Sequence, residues 1–184
     1  MSSREDMPLR VRSMHRLESA ASLDPAVSRV YALSGWLRRR PSLMRLLQGH
    51  WLGHAVHPVL TVASLGMWTS ALSLDLLGGK GSRHAAQRLV GLGVLAAVPT
   101  SLTGLAEWQS ADHDSQRVAV VHAAANGTAL LLYAGSWAAR RSGRHRAGVL
   151  LAIAGSSSAG AGGYLGGHLS AVRKVSTRHE GFDT

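Results

Sequence analysis

The sequence predicts an all-α fold: a four-helix transmembrane bundle preceded by amphipathic N-terminal helices. Three observations carry this. Charge is segregated along the 184 residues, which hold 20 Lys+Arg against 10 Asp+Glu for a net +10, with 46% apolar types. Between Ala55 and Leu77 the only formal charge is Asp75, and positions 89–106, 118–139 and 147–172 have none. These stretches are about 18–26 residues long, and twenty helical residues at about 1.5 Å each cover the roughly 30 Å of a bilayer core. Too few charges remain elsewhere to coat a soluble surface around four such helices. Cysteine is absent, which excludes a disulfide framework, thiolate metal sites and cysteine nucleophiles.

The elements follow in order. Residues 1–23 read as a mobile tail, with no apolar h-region and so no cleavable signal peptide. Asp24-Pro25 is an N-cap followed by an N1 proline. Val27, Val30, Tyr31, Leu33, Trp36 and Leu37 then alternate with polar positions as far as Arg38-Arg39-Arg40. Leu43, Met44, Leu46 and Leu47 repeat the pattern after Pro41. Residues 24–54 are therefore an amphipathic segment lying on the membrane surface, the alternative being a small solvated helical cap. The transmembrane domain covers 55–168, with spans at 55–77, 85–107, 118–139 and 147–168, and a polar tail occupies 169–184. Glycine-rich 78–82, polar 110–115 and basic 140–146 separate the spans. Pro99 predicts a kink, with Thr100, Ser101 and Thr103 able to satisfy freed backbone groups.

Four spans place both termini and the 108–117 loop on one side. The 78–84 and 140–146 loops share the other side, and their arginines make it the expected cytoplasmic one. The arginines of 38–45 and 173–178 argue the other way.

That topology collects histidines at one level. His57 begins the first span, Glu107 ends the second, His122 lies one turn into the third and His168 ends the fourth. His54 precedes His57 by three residues. Ionisable residues inside a membrane are functional candidates, and imidazole ligates haem iron, zinc or copper without adding charge. The candidate ligands are His57, His122 and His168, with His54 as the alternative in the first helix. Glu107 is a candidate proton acceptor. Asn126, four residues after His122, is placed to hydrogen-bond a ligand or backbone. Gly160, Gly162, Gly163, Gly166 and Gly167 leave room beside His168, although the same small-xxx-small spacing serves close helix packing. His50, His113 and His179 read as solvated. At the opposite face, Asp75 and Arg88 are expected to form a structural ion pair.

Several segments together resemble a bacterial membrane family, domain of unknown function 2231. They are His50-Trp51-Leu52-Gly53-His54-Ala55-Val56-His57-Pro58, Asp75, Gly104-Leu105-Ala106-Glu107-Trp108, His122-Ala123-Ala124-Ala125-Asn126, and Gly162-Gly163-Tyr164-Leu165-Gly166-Gly167-His168. The likeness covers roughly 48–170. It implies a four-helix membrane domain similar to small haem b-binding membrane cytochromes, some relatives being joined to a Rieske-type iron–sulfur domain. This chain has no Cys, so such a centre would belong to a separate protein.

Two function classes follow. The first is a bacterial inner-membrane haem b subunit, not an enzyme by itself, that passes electrons between a quinol or iron–sulfur donor and an acceptor. The second is a non-redox membrane scaffold or metal-binding subunit. The sequence has no Walker A loop, dinucleotide fingerprint, zinc-protease motif or nucleophile elbow. Its arginines lie where topology and anionic lipid account for them, which argues against nucleic acid.

Overall fold

A computed structural model describes residues 7–175. Four short helices come first: α1 (Leu9–Glu18), α2 (Asp24–Leu33), α3 (Gly35–Arg38) and α4 (Pro41–Gln48). Four long ones follow: α5 (His57–Leu77), α6 (Arg83–Trp108), α7 (His113–Arg141) and α8 (His145–Gly167), the last prolonged by a π-helical turn at His168–Val172. There is no strand among the described residues. Each long helix has the length and hydropathy to cross a membrane.

The long helices run up and down, with α5 packed on α6 and α7 on α8 as intimate antiparallel pairs. The pairs meet where α6 lies against α7 and α5 against α8. Large apolar side chains such as Val62, Leu95, Leu131 and Leu150 point outward. Inside are Ala71, Ala86, Ala129, Ala152, Gly93 and Gly155. Small residues inside and large ones outside suit lipid as solvent, because dispersion between close backbones drives association there.

The two helical pairs share one register. Buried Ser64, Trp68 and Ala71 of α5 recur sixty-five positions later as buried Ala129, Tyr133 and Ser136 of α7. Buried Ala86, Val90, Gly93 and Ala97 of α6 recur sixty-two positions later as Gly148, Ala152, Gly155 and Ala159 of α8. Since α5 and α7 run the same way, the pairs are related by an approximate two-fold axis along the membrane normal, as in parallel repeats. Equivalent residues meet across it. Trp68 stacks on Tyr133 with centroids 4.1 Å apart and planes 9° from parallel. Gly93 and Gly155 make space for those rings: a Cβ would lie 2.4 Å from the Trp68 Nε1 and 3.1 Å from the Tyr133 ring.

Three expectations are corrected. Residues 9–23 are not a loose tail: α1 and a 3-10 turn at Ala21–Leu23 dock on the bundle, burying Met14 against Val118 and Leu169. Glu18 is buried with them. Residues 1–6, and the tail beyond 175 with His179, lie outside the described residues. The second and third spans are also longer than expected, whereas the first starts only at His57. Helix α6 begins at Arg83, and α7 starts at His113 because the Asp112 carboxylate caps it, accepting from the Ser115 N–H at 3.0 Å. Finally, Asp75 does not pair with Arg88. Arg88 is exposed, and the Asp75 carboxylate is buried against the Arg140 guanidinium in a two-pronged pair, with Nη1 at 2.8 Å. Arg140 is the residue that the two-fold places opposite Asp75. Gly148 admits its stem, and the Ser136 hydroxyl accepts from its Nε at 3.1 Å.

Helices α2–α4 lie across the end of the bundle where α6 finishes and α7 begins. Gln48 donates to the Ala106 carbonyl and the Ser110 hydroxyl, and Arg38 to Gln109. Tyr31, Leu33, Leu46 and Trp51 remain exposed, as an interfacial apolar face requires. Gly49 closes α4 at φ +80°, where a Cβ would strike the His54 carbonyl at 2.2 Å.

Candidate functional site

His57 sits in the first turn of α5, which Pro58 favours by having no N–H to leave unpaired. Its Nδ1 is 2.9 Å from the Thr100 carbonyl of α6 and 3.3 Å from the Thr103 hydroxyl. His122 occupies the equivalent place on α7, sixty-five positions on. Its Nδ1 is 2.8 Å from the Gly162 carbonyl of α8, and Gly162 is the residue equivalent to Thr100. A carbonyl can only accept, so each Nδ1 carries the proton and each neutral ring keeps its lone pair on Nε2.

The surroundings repeat as well. A Cβ on Gly104 would lie 2.8 Å from the His57 Cε1, and one on its equivalent Gly166 would lie 2.9 Å from the His122 Cε1. Both histidines are half-buried. They differ in one partner. The Asn126 amide donates to the His122 carbonyl at 3.0 Å and lies 3.1 Å from its Nε2. At the matching place, Thr61 reaches only the His57 carbonyl, at 2.9 Å.

His168 does not join this pair. Its Nε2 is 2.8 Å from the Glu18 carboxylate, whose other oxygen is 3.4 Å from His15 Nδ1, with Arg173 at 3.8 Å. The reason is α1, which brings an acid to the end of α8. His54 is exposed, and its Nδ1 meets the adjacent Ala55 carbonyl at 3.1 Å. Glu107 is half-buried in the last turn of α6. Among the described residues, no three His, Asp or Glu side chains converge as a metal cage. His57 and His122 thus occupy equivalent places in the two helical pairs, with Gly104 and Gly166 against their rings and Asn126 beside His122.

The sequence reading missed the ion-pair network beside them. Arg117 pairs with Asp24 at 2.7 Å and Asp114 at 3.1 Å, His113 lies 3.1 Å from Asp24, and Arg173 bonds Asp112 at 2.6 Å. The hydrogen bond from Arg117 holds the Asp24 carboxyl below its ordinary value. Burial pushes Asp112 up, but hydrogen bonds from Ser115 and Arg173 outweigh it, and the net displacement is downward. One signal was available: Asp24, Asp112 and Asp114 are scarce acids in a basic chain, all assigned to the same membrane side.

Residues 53–179 match the model of the family described as "Predicted membrane protein (DUF2231)". No curated protein and no solved structure matches the chain.

Proposed function

The chain belongs to the DUF2231 family of membrane proteins, and from that premise we propose that it binds a b-type haem between His57 and His122 and serves as an electron-transfer subunit. One observation carries the reading: the two histidines are equivalent under the two-fold and carry the same tautomer. Donation of Nδ1–H to a backbone carbonyl is how ligating histidines are oriented and made more basic. The residues fit the group. The Nε2 atoms of His57 and His122, one from each helical pair, would hold the iron, and Gly104 and Gly166 keep side-chain bulk from the rings. Zinc fits less well, because it takes three or four protein ligands, and no group of three His, Asp or Glu is placed to hold a metal among the described residues.

When bound, the haem would supply one-electron chemistry. The chain's own residues orient it. The Thr100 and Gly162 carbonyls fix the imidazole planes, the Asn126 amide holds the His122 Nε2 until a ligand takes it, and Glu107 is the nearby proton acceptor. The donor would be a quinol or a separate Rieske-type protein, since this sequence has no Cys. The basic 78–84 and 140–146 loops would face the cytoplasm of a bacterial inner membrane.

The test is the absorption spectrum of the purified, haem-loaded protein. We expect a Soret band that shifts on dithionite reduction and is lost in both His57→Ala and His122→Ala but retained in His168→Ala. A colourless protein, or a spectrum insensitive to both substitutions, would overturn the reading. The specific alternative is that each histidine merely ties its helical pair together, His57 through Thr100 and His122 through Gly162. In that non-redox scaffold, histidine substitution lowers thermal stability and nothing else.

A further inference from the structure

The end of the bundle opposite the histidines holds a cleft of about 730 Å³ between the start of α6, the end of α7 and the α7–α8 turn. Lys80, Arg83, Arg88 and Arg141 line it, together with Gln87 and Trp137, and no carboxylate does. The side chain of Asp75 is fully buried behind the cleft, paired with Arg140 and 3.7 Å from His145. Among the described residues no ion pair engages Lys80, Arg83, Arg88 or Arg141. The cleft between α1 and the end of α8 contrasts with it. Arg10, Arg173 and Lys174 line that one, but Glu18 and Asp112 line it too.

Like charges held together without a counter-ion repel one another, and an arriving anion relieves that cost. We propose that this cleft binds the phosphate headgroup of an anionic phospholipid. Its place in the molecule favours lipid as the source of the phosphate. The cleft lies where α5 and α7 end and α6 and α8 begin, the level at which lipid phosphates sit. Trp137, partly exposed, contributes the amphipathic ring typical of that level. The Arg141 guanidinium lies 5.1 Å from the indole centroid, a cation–π contact that orients a cation while leaving its N–H groups for an anion. Below it, exposed Leu92 and Leu95 of α6 offer an apolar surface for acyl chains. Basic pockets between transmembrane helices bind anionic headgroups on this principle.

The experiment measures lipid retained by the full chain, extracted from phosphatidylcholine vesicles with and without phosphatidylglycerol, by native mass spectrometry. We expect selective retention of phosphatidylglycerol. Apparent affinity should fall by the order of a hundredfold in Lys80→Ala/Arg83→Gln/Arg88→Gln. A control with the same charge change at exposed sites of the other end, Arg16→Gln/Arg29→Gln/Arg45→Gln, should bind as the parent does. Arg83→Lys/Arg88→Lys should retain most binding, which separates lost charge from lost fold. Equal retention of phosphatidylcholine, an unaffected triple variant, or an equal loss in the control would overturn the proposal. Displacement of the lipid by millimolar inorganic phosphate would overturn the lipid assignment in favour of the free ion.

Discussion

The α5–α6 and α7–α8 pairs are two solutions to one packing problem, and their differences form layers. At one level the equivalents are identical, His57 and His122, each bonded to a carbonyl of its own pair. At the middle they are similar, Trp68 and Tyr133, stacked on each other. At the far level they are opposite, Asp75 and Arg140, paired across the axis. Like residues placed symmetrically leave their free atoms for a third party, whereas unlike residues satisfy each other. The symmetric layer is thus the one with chemistry to offer, and the asymmetric layer locks the pairs together.

Breaking the far layer should have the largest effect. Removing one partner strands a buried charge, so Asp75→Ala or Arg140→Ala should cost about 3–5 kcal/mol in a reversible unfolding titration. The apolar replacement Asp75→Leu/Arg140→Met should cost much less than either. If each single variant matched the double, the pair would not be the lock described.

The middle layer gives a graded comparison. Gly93→Ala forces a Cβ to 2.4 Å from the Trp68 ring, and Gly155→Ala only to 3.1 Å from that of Tyr133. Overpacking costs about 1–3 kcal/mol, and Gly93→Ala should lie at the high end with Gly155→Ala at or below the low end. The reverse order in thermal unfolding would disprove the packing asymmetry. Tyr133→Phe removes the 2.7 Å bond to Ser156 and keeps the stack. It should cost only about 0.6 kcal/mol, the usual worth of an interhelical hydrogen bond in a membrane.

The smallest effect concerns the end at which α1–α4 break the symmetry. Asp24 and Asp112 both have carboxyl groups held below the ordinary 3.8. A lowered carboxylate stabilises the folded state above its unfolded value, and that contribution is lost as pH falls through the folded one. Hydrogen-exchange protection of residues 9–48 should therefore be flat down to about pH 4 and decline below it. Asp24→Asn should flatten the decline. A decline centred near pH 6 would point to histidine instead.

The four spans were legible because lipid excludes charge, and absence of charge survives averaging over a helix. His57 and His122 were legible because topology alone sets their level. The partner of His168 was not legible, because Glu18 arrives on a helix of mostly polar and basic residues that advertises no burial. The Asp75 partner was missed because the reading joined neighbours within a pair, whereas the bond crosses between pairs. The repeat itself was hidden. Small residues substitute freely for one another along close helix contacts, so Ala86 corresponds to Gly148 and Ser64 to Ala129. What persisted was a spacing of eleven: His57 to Trp68, His122 to Tyr133, Gly93 to Gly104 and Gly155 to Gly166. Eleven residues close three helical turns, which returns the chain to the same face.

A unit of two spans returns the chain to the side from which it started. A second such unit must then enter the membrane facing the same way, and the short turns of the two units fall on one side. The basic residues at Lys80–Arg88 and at Arg140–Arg146 consequently reinforce a single orientation for insertion. Repeats of odd span number would instead place matching turns on opposite sides, and their charges would have to differ.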